Sequence, residues 1–153
     1  MPKITPFLWF DNQAEEAMNY YLSIFKDGKV LNVHRKDGKV LTVAFELNGQ
    51  RIMALNGGPL FNFTEAISLF VSCDTQEEVD ELWEKLTAVG EESRCGWLKD
   101  KYGLSWQIIP KALMELMGDP DPQKSQAVFE AMMKMKKIVI DDLKRAHEGK
   151  AAA

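Results

Sequence analysis

One thiol stands in a basic stretch. The segment Arg94-Cys95-Gly96-Trp97-Leu98-Lys99-Asp100-Lys101 places Cys95 beside one cation in sequence and close to two more. A nearby cation favours the thiolate, the nucleophilic form of cysteine. Cys95 is therefore a candidate catalytic residue toward an electrophilic small substrate, with Lys99 or Asp100 as helper. No histidine is near in sequence to act as its base. The competing reading is a small thiol packed inside a sheet. Trp9, Trp97 and Trp106 fall on predicted strands, and Trp83 falls on a predicted helix. Aromatic walls suit a flat or apolar ligand, so Trp9 and Trp97 are candidate ligand contacts; core packing is the alternative for each.

The elements that hold these residues repeat. Residues 4–25 read ITPFLWFDNQAEEAMNYYLSIF and residues 67–86 read ISLFVSCDTQEEVDELWEKL. Each is an apolar run, an Asp, a Gln and paired glutamates opening an amphipathic helix. FELNGQRIMALN (45–56) and KDKYGLSWQIIP (99–110) then follow as a further pair. Two copies of a strand–helix–strands unit imply a pseudo-symmetric domain.

In the first copy a strand is predicted over 3–10. A helix then starts at an Asn12 cap, with Glu15 as its capping-box partner. Ala14, Ala17, Met18, Tyr21, Leu22 and Phe25 form its apolar stripe. Strands follow over 29–35, 40–47 and 51–56, joined by the hairpin dipeptides Asp37-Gly38 and Asn48-Gly49. In the second copy a strand over 66–73 leads to a helix boxed by Thr75 and Glu78, with Val79, Leu82, Trp83 and Leu86 on its buried side. Strands over 91–93, 96–100 and 105–109 complete it. Cys95 is thus placed at a strand start, and alternation puts Cys95, Trp97 and Lys99 on one face with Leu98 and Asp100 on the other. A short helix over 111–117 comes next. Pro122 opens a helix over 122–135, residues 137–140 are predicted extended, and Asp141 caps a last helix to His147. The tail 149–153 is predicted to fray.

Bulk properties exclude several functions. A net charge of -4 argues against a broad nucleic-acid surface. No apolar run reaches the roughly 20 residues needed to cross a bilayer. Lys3, Pro6 and Asp11 break any secretory apolar stretch. Two cysteines without a CxxC spacing fit free thiols in a reducing cytoplasm. Asn56-Gly57-Gly58-Pro59 lacks a nucleotide-binding pattern and reads as a turn ending the first copy.

The duplication, together with Pro6-Phe7-Leu8-Trp9-Phe10, Ala14-Glu15-Glu16-Ala17 with Tyr20-Tyr21, Leu55-Asn56-Gly57-Gly58-Pro59, Cys95-Gly96-Trp97-Leu98-Lys99-Asp100 and Tyr102-Gly103-Leu104-Ser105-Trp106-Gln107, resembles the PhnB-like family of the vicinal oxygen chelate superfamily. Some PhnB-like proteins carry a demethylubiquinone methyltransferase label; that label finds no support here, because no glycine-rich strand-to-helix turn is present. The resemblance implies an α+β fold of two βαβββ modules, about 3–58 and 66–110, in a domain over 1–110. A C-terminal helical extension over 111–153 would follow.

The resemblance also implies where metal ligands would fall: Pro6, Ile67 or Ser68, Gln107, and a position from Met53 to Asn56. None offers an imidazole or a carboxylate. No metal and no cofactor is therefore expected. Asn56 and Gln107 become candidate ligand-binding amides at those positions, or satisfy backbone groups at strand ends. The expected partners are a small-molecule ligand and a second copy in a homodimer, with no nucleic acid and no membrane. Two functions stay open: a metal-independent small-molecule binding protein of unknown ligand, or an enzyme using Cys95. A purely structural dimer is a third.

Overall fold

The computed structural model describes residues 3–150. They form α+β architecture in two units, the first ending at Phe63 and the second beginning at Thr64. The tail positions 151–153 lie outside the described residues.

The first unit runs β1 (Phe7–Phe10), α1 (Ala14–Ile24), β2 (Gly28–Lys36), β3 (Lys39–Leu47) and β4 (Gln50–Asn56). Its sheet has the order β1-β4-β3-β2, with β1 parallel to β4 and the rest antiparallel. The first strand is shorter than the run predicted over 3–10. Pro6 accepts a bond from Met53 N–H but has no N–H to return, so regular pairing begins at Phe7. Both hairpin dipeptides form two-residue turns with positive φ at each position: Asp37 at 53° and Gly38 at 77°, Asn48 at 49° and Gly49 at 83°. That geometry matches the twist of the strands it joins.

α1 buries Ala14, Ala17, Met18, Tyr21 and Ile24 against one face of this sheet. Tyr21 stacks on Phe45 with ring centroids 6.3 Å apart. Leu22, assigned to the stripe from spacing, is only half-buried, and Ile24 takes its place. The predicted Asn12–Glu15 capping box does not form: the N-cap is Gln13, whose side chain makes no capping bond. The cap comes instead from the end of β4, where Asn56 Oδ1 accepts the Ala14 N–H at 2.8 Å.

The second unit runs β5 (Ser68–Cys73), α2 (Gln76–Thr87), β6 (Glu91–Glu92), β7 (Trp97–Lys99), β8 (Ser105–Pro110), α3 (Lys111–Met117), α4 (Pro122–Met133) and α5 (Ile140–His147). Its sheet repeats the first: order β5-β8-β7-β6, with β5 parallel to β8. Val79, Leu82, Trp83 and Leu86 are the buried stripe of α2, as spacing predicts. Thr75 Oγ1 accepts the Glu78 N–H, but the Glu78 carboxylate returns to Asp74 N–H rather than to Thr75.

The extension packs within this unit. Ile109 of β8 joins Leu113, Val128, Ile138 and Leu143 in one buried cluster. Residues predicted extended over 137–140 are not a strand. They form a connection that buries Ile138 and enters α5 at Ile140. Asp141 does not cap α5; the N-cap is Val139, without a side-chain bond. Gln76 supplies what is missing: its Oε1 accepts the Ile140 N–H at 2.7 Å and its Nε2 donates to Ile138 O at 2.9 Å. No helix among the described residues is long and apolar enough to cross a membrane.

Candidate functional site

Period-two alternation sorts the second sheet into two faces. Leu98, Trp106 and Ile108 point to the face covered by α2 and are buried. The opposite face carries two cross-strand rows. One is Phe70–Gln107–Trp97, and the other is Ser68–Ser105–Lys99–Glu91. Helices of the extension pack on this face at its Ile109 end. Phe70 remains 54% exposed, and Trp97 and Gln107 are half-buried. Two of the sequence-predicted ligand contacts, Trp97 and Gln107, are therefore direct cross-strand neighbours, within the few ångströms at which such side chains touch.

Gln107 Nε2 donates to Ser68 Oγ at 2.9 Å, which fixes the plane of the amide. Lys99 forms an ion pair with Glu65. The hydrogen bond and charge of Lys99 hold the Glu65 carboxyl below its ordinary range, and the same bond raises Lys99, with a smaller push from Glu91. A depression of about 300 Å³ lies beside this row, lined by Glu65, Glu91, Trp97, Lys99 and Ser105 among others. That volume is at the lower end for small-ligand sites.

Ser105, Glu65 and Glu91 are the site residues that sequence reasoning missed, and Ser68 is marked only as a position where the resemblance would put a metal ligand. A signal existed for Ser105. It is two residues before Gln107, so strand alternation places it on the face of Gln107. Glu65 and Glu91 arrive through loop position and strand pairing, which no local pattern announces.

Trp9 and Asn56 lie in the first unit and have their polar groups engaged there. Trp9 Nε1 donates to Gly58 O at 2.9 Å, and its ring meets Phe61 edge-on with centroids 5.0 Å apart. A Cβ on Gly57 would fall 2.3 Å from the indole, so glycine is what lets the ring lie on that turn. Asn56 accepts from Ala14 and donates from Nδ2 to Val40 O at 3.2 Å. This is the backbone-satisfying behaviour that competes with a ligand role.

Cys95 is not at a strand start. It sits in the two-residue turn between β6 and β7, with φ of 59° followed by 83° at Gly96. Trp97 N–H closes that turn on Arg94 O at 3.0 Å. The alternation that pairs Cys95 with Trp97 and Lys99 therefore stops at Trp97. The two N–H groups of the turn donate outward, Cys95 to Met135 O and Gly96 to Lys136 O. Cys95 Sγ lies 3.6 Å from Met133 Sδ, a soft contact and not a base. Asp100 is also occupied. Its carboxylate accepts from Tyr102 N–H, Leu104 N–H and Trp106 Nε1, which shapes the turn into β8 and fixes Trp106 in the core. Cys73 is fully buried, and desolvation, reinforced by Glu78 and Asp74, pushes its thiol up to about 12. A thiol held there is inert at neutral pH.

The donor set does not suit a divalent metal. Among the described residues no three His, Cys, Asp or Glu side chains are grouped to hold an ion. Gln107 is committed through its nitrogen to Ser68. His147 is paired with Asp119 at 2.8 Å in the extension.

Residues 2–109 match the family model described as 3-demethylubiquinone-9 3-methyltransferase. A solved structure from Bacillus cereus, described as a putative 3-demethylubiquinone-9 3-methyltransferase, PhnB protein, is 39% identical over 71% of this chain and 99% of its own, with a TM-score of 0.68. Protein PA1353 from Pseudomonas aeruginosa is 17% identical over 72% of this chain and 98% of its own, with a TM-score of 0.62. The fosfomycin resistance protein FosX from Listeria monocytogenes is 17% identical over 75% and 97%, with a TM-score of 0.56. The last two share the fold. No curated protein sequence matches the chain.

Proposed function

The chain belongs to the PhnB-like 3-demethylubiquinone-9 3-methyltransferase family, within the glyoxalase/bleomycin-resistance fold, and we propose that it is a metal-independent small-molecule binding protein. Its ligand would lie on the face of the second sheet opposite α2. The observation that carries this reading is the Phe70–Gln107–Trp97 row: aromatic rings flank an amide whose plane is fixed by Ser68. Rings supply contact area and stacking, and the amide supplies one directed hydrogen bond. Trp97 and Gln107 are the proposed ligand contacts. Trp9 and Asn56 are assigned to building the first module, because their polar groups are spent on Gly58, Ala14 and Val40.

The family's methyltransferase name is not carried over as an activity. Nucleotide-like cofactors use a glycine-rich turn from strand to helix. Here the β1–α1 connection is Asp11-Asn12-Gln13 and the β5–α2 connection is Asp74-Thr75. The reading takes the protein to be a cytoplasmic homodimer, supported by the family resemblance and two unpaired thiols.

Native mass spectrometry of protein purified without added metal tests this. The expected result is an organic mass carried by the wild-type chain and lost from Trp97→Ala. A stoichiometric divalent metal ion would overturn the metal-independent reading.

A further inference from the structure

The depression beside Trp97 has a chemical bias beyond its shape. Three carboxylates line it, from Glu65, Glu91 and Glu92, against one ammonium from Lys99. Lys99 is already matched by Glu65. Glu92 accepts the indole N–H of Trp83 at 2.7 Å, a neutral donor that leaves its charge in place. The lining is therefore negative on balance, and Glu91 stands directly across from Lys99 on the edge strand. Such a wall attracts cations and repels carboxylates and phosphates.

A second observation is independent of charge. Ser105 is 1% exposed, and its Oγ has no hydrogen-bond partner. It lies on the face opposite α2, between Ser68 and Lys99, and lines the same depression. Buried hydroxyls are nearly always paired, so a bound group that donates to or accepts from Ser105 would complete this one. Trp97 adds an aromatic face at the rim, the surface on which organic cations rest best.

We infer that this depression takes a small organic cation, a substituted ammonium, with Glu91 countering its charge, Trp97 covering its apolar part and Ser105 meeting its polar group. This rests on the reading that the face of the second sheet opposite α2 is the ligand site, and it names the class of ligand.

The test uses three probes of nearly equal size on the full chain: benzylammonium, benzyl alcohol and benzoate. The readout is the Trp97 indole N–H signal in NMR, assigned by its loss in Trp97→Phe. Benzylammonium is expected to move that signal with an affinity about tenfold above the other two, and to weaken as salt rises. Glu91→Gln and Ser105→Ala are each expected to weaken it about fivefold. Glu91 is on an exposed edge and Ser105→Ala removes only a hydroxyl, so both variants should fold. If benzyl alcohol or benzoate binds as well as benzylammonium at Trp97, the cation assignment falls and the ligand face stands. If none of the three moves Trp97, both fall. If benzylammonium binds but neither variant weakens it, the assignment of Glu91 and Ser105 is overturned.

Discussion

Gln76 on α2 caps α5 from 64 positions away, accepting the Ile140 N–H at 2.7 Å. Its amide nitrogen is used as fully as its oxygen, donating to Ile138 O and to Asp80 Oδ1, both at 2.9 Å. Asp80 in turn pairs with Lys137 at 2.8 Å. One side chain thus ties the entry of the last helix to the second module, and the extension is held by polar bonds as well as by its apolar cluster.

Gln76→Ala should therefore loosen α5 more than α2. Losing a cap costs roughly 1–2 kcal/mol, and the Ile138 carbonyl loses its donor as well. Hydrogen exchange should show faster exchange of the α5 amides with the sheet amides little changed. Equal loss across both would mean that Gln76 supports the sheet instead.

The first module has a matching dependence on Asn56. Asn56→Ala removes the acceptor for Ala14 N–H and the donor to Val40 O. A loss of about 1–2 kcal/mol is expected in denaturant unfolding. Ligand affinity at the second module should not change. A selective loss of affinity at unchanged stability would restore Asn56 as a ligand contact.

Acid should release the extension. Hydrogen bonding from Lys137 and then Gln76 lowers the Asp80 carboxyl, and the Asp121 N–H followed by His147 lowers Asp119. A carboxyl depressed on folding stabilises above its unfolded value, and that contribution is lost as pH falls through the folded value. The protection factors of the α5 amides, taken relative to the intrinsic rate at each pH, should therefore fall from about pH 5 downward, ahead of those of the sheet amides. Asp119→Asn should flatten part of that dependence; an unchanged profile would show that Asp119 does not anchor α5.

Backbone conformation at Cys95 gives another prediction. A φ of 59° is comfortable for glycine and poor for a β-branched residue. Cys95→Gly should be neutral or slightly stabilising, whereas Cys95→Val should cost about 1–2 kcal/mol. Thermal unfolding distinguishes the two. If Cys95→Gly also leaves binding intact and no chemistry is lost, the thiol has no catalytic part.

What could be read in the sequence was what neighbours in sequence decide. Asp37-Gly38 and Asn48-Gly49 mark their turns because the required positive φ is a local property. The α2 stripe follows from 3.6-residue spacing alone. Helix caps failed where the partner was remote: Asn12 and Asp141 have suitable side chains, but Asn56 and Gln76 reach the open N–H groups first. Cys95 precedes an alternating pattern and so reads as a strand start, but it and Gly96 both take positive φ and form a turn instead. Trp97 and Gln107 could be placed on strands but not beside each other, since that depends on the register of β7 with β8.

The most direct test of the ligand face is heteronuclear NMR of the full chain against a library of small aromatic and polar fragments. The account predicts that the strongest shifts fall together on the Trp97 indole N–H and the Gln107 side-chain amide, and that they vanish in Trp97→Ala. Shifts clustering around Trp9 and Asn56, with Trp97 and Gln107 silent, would contradict it.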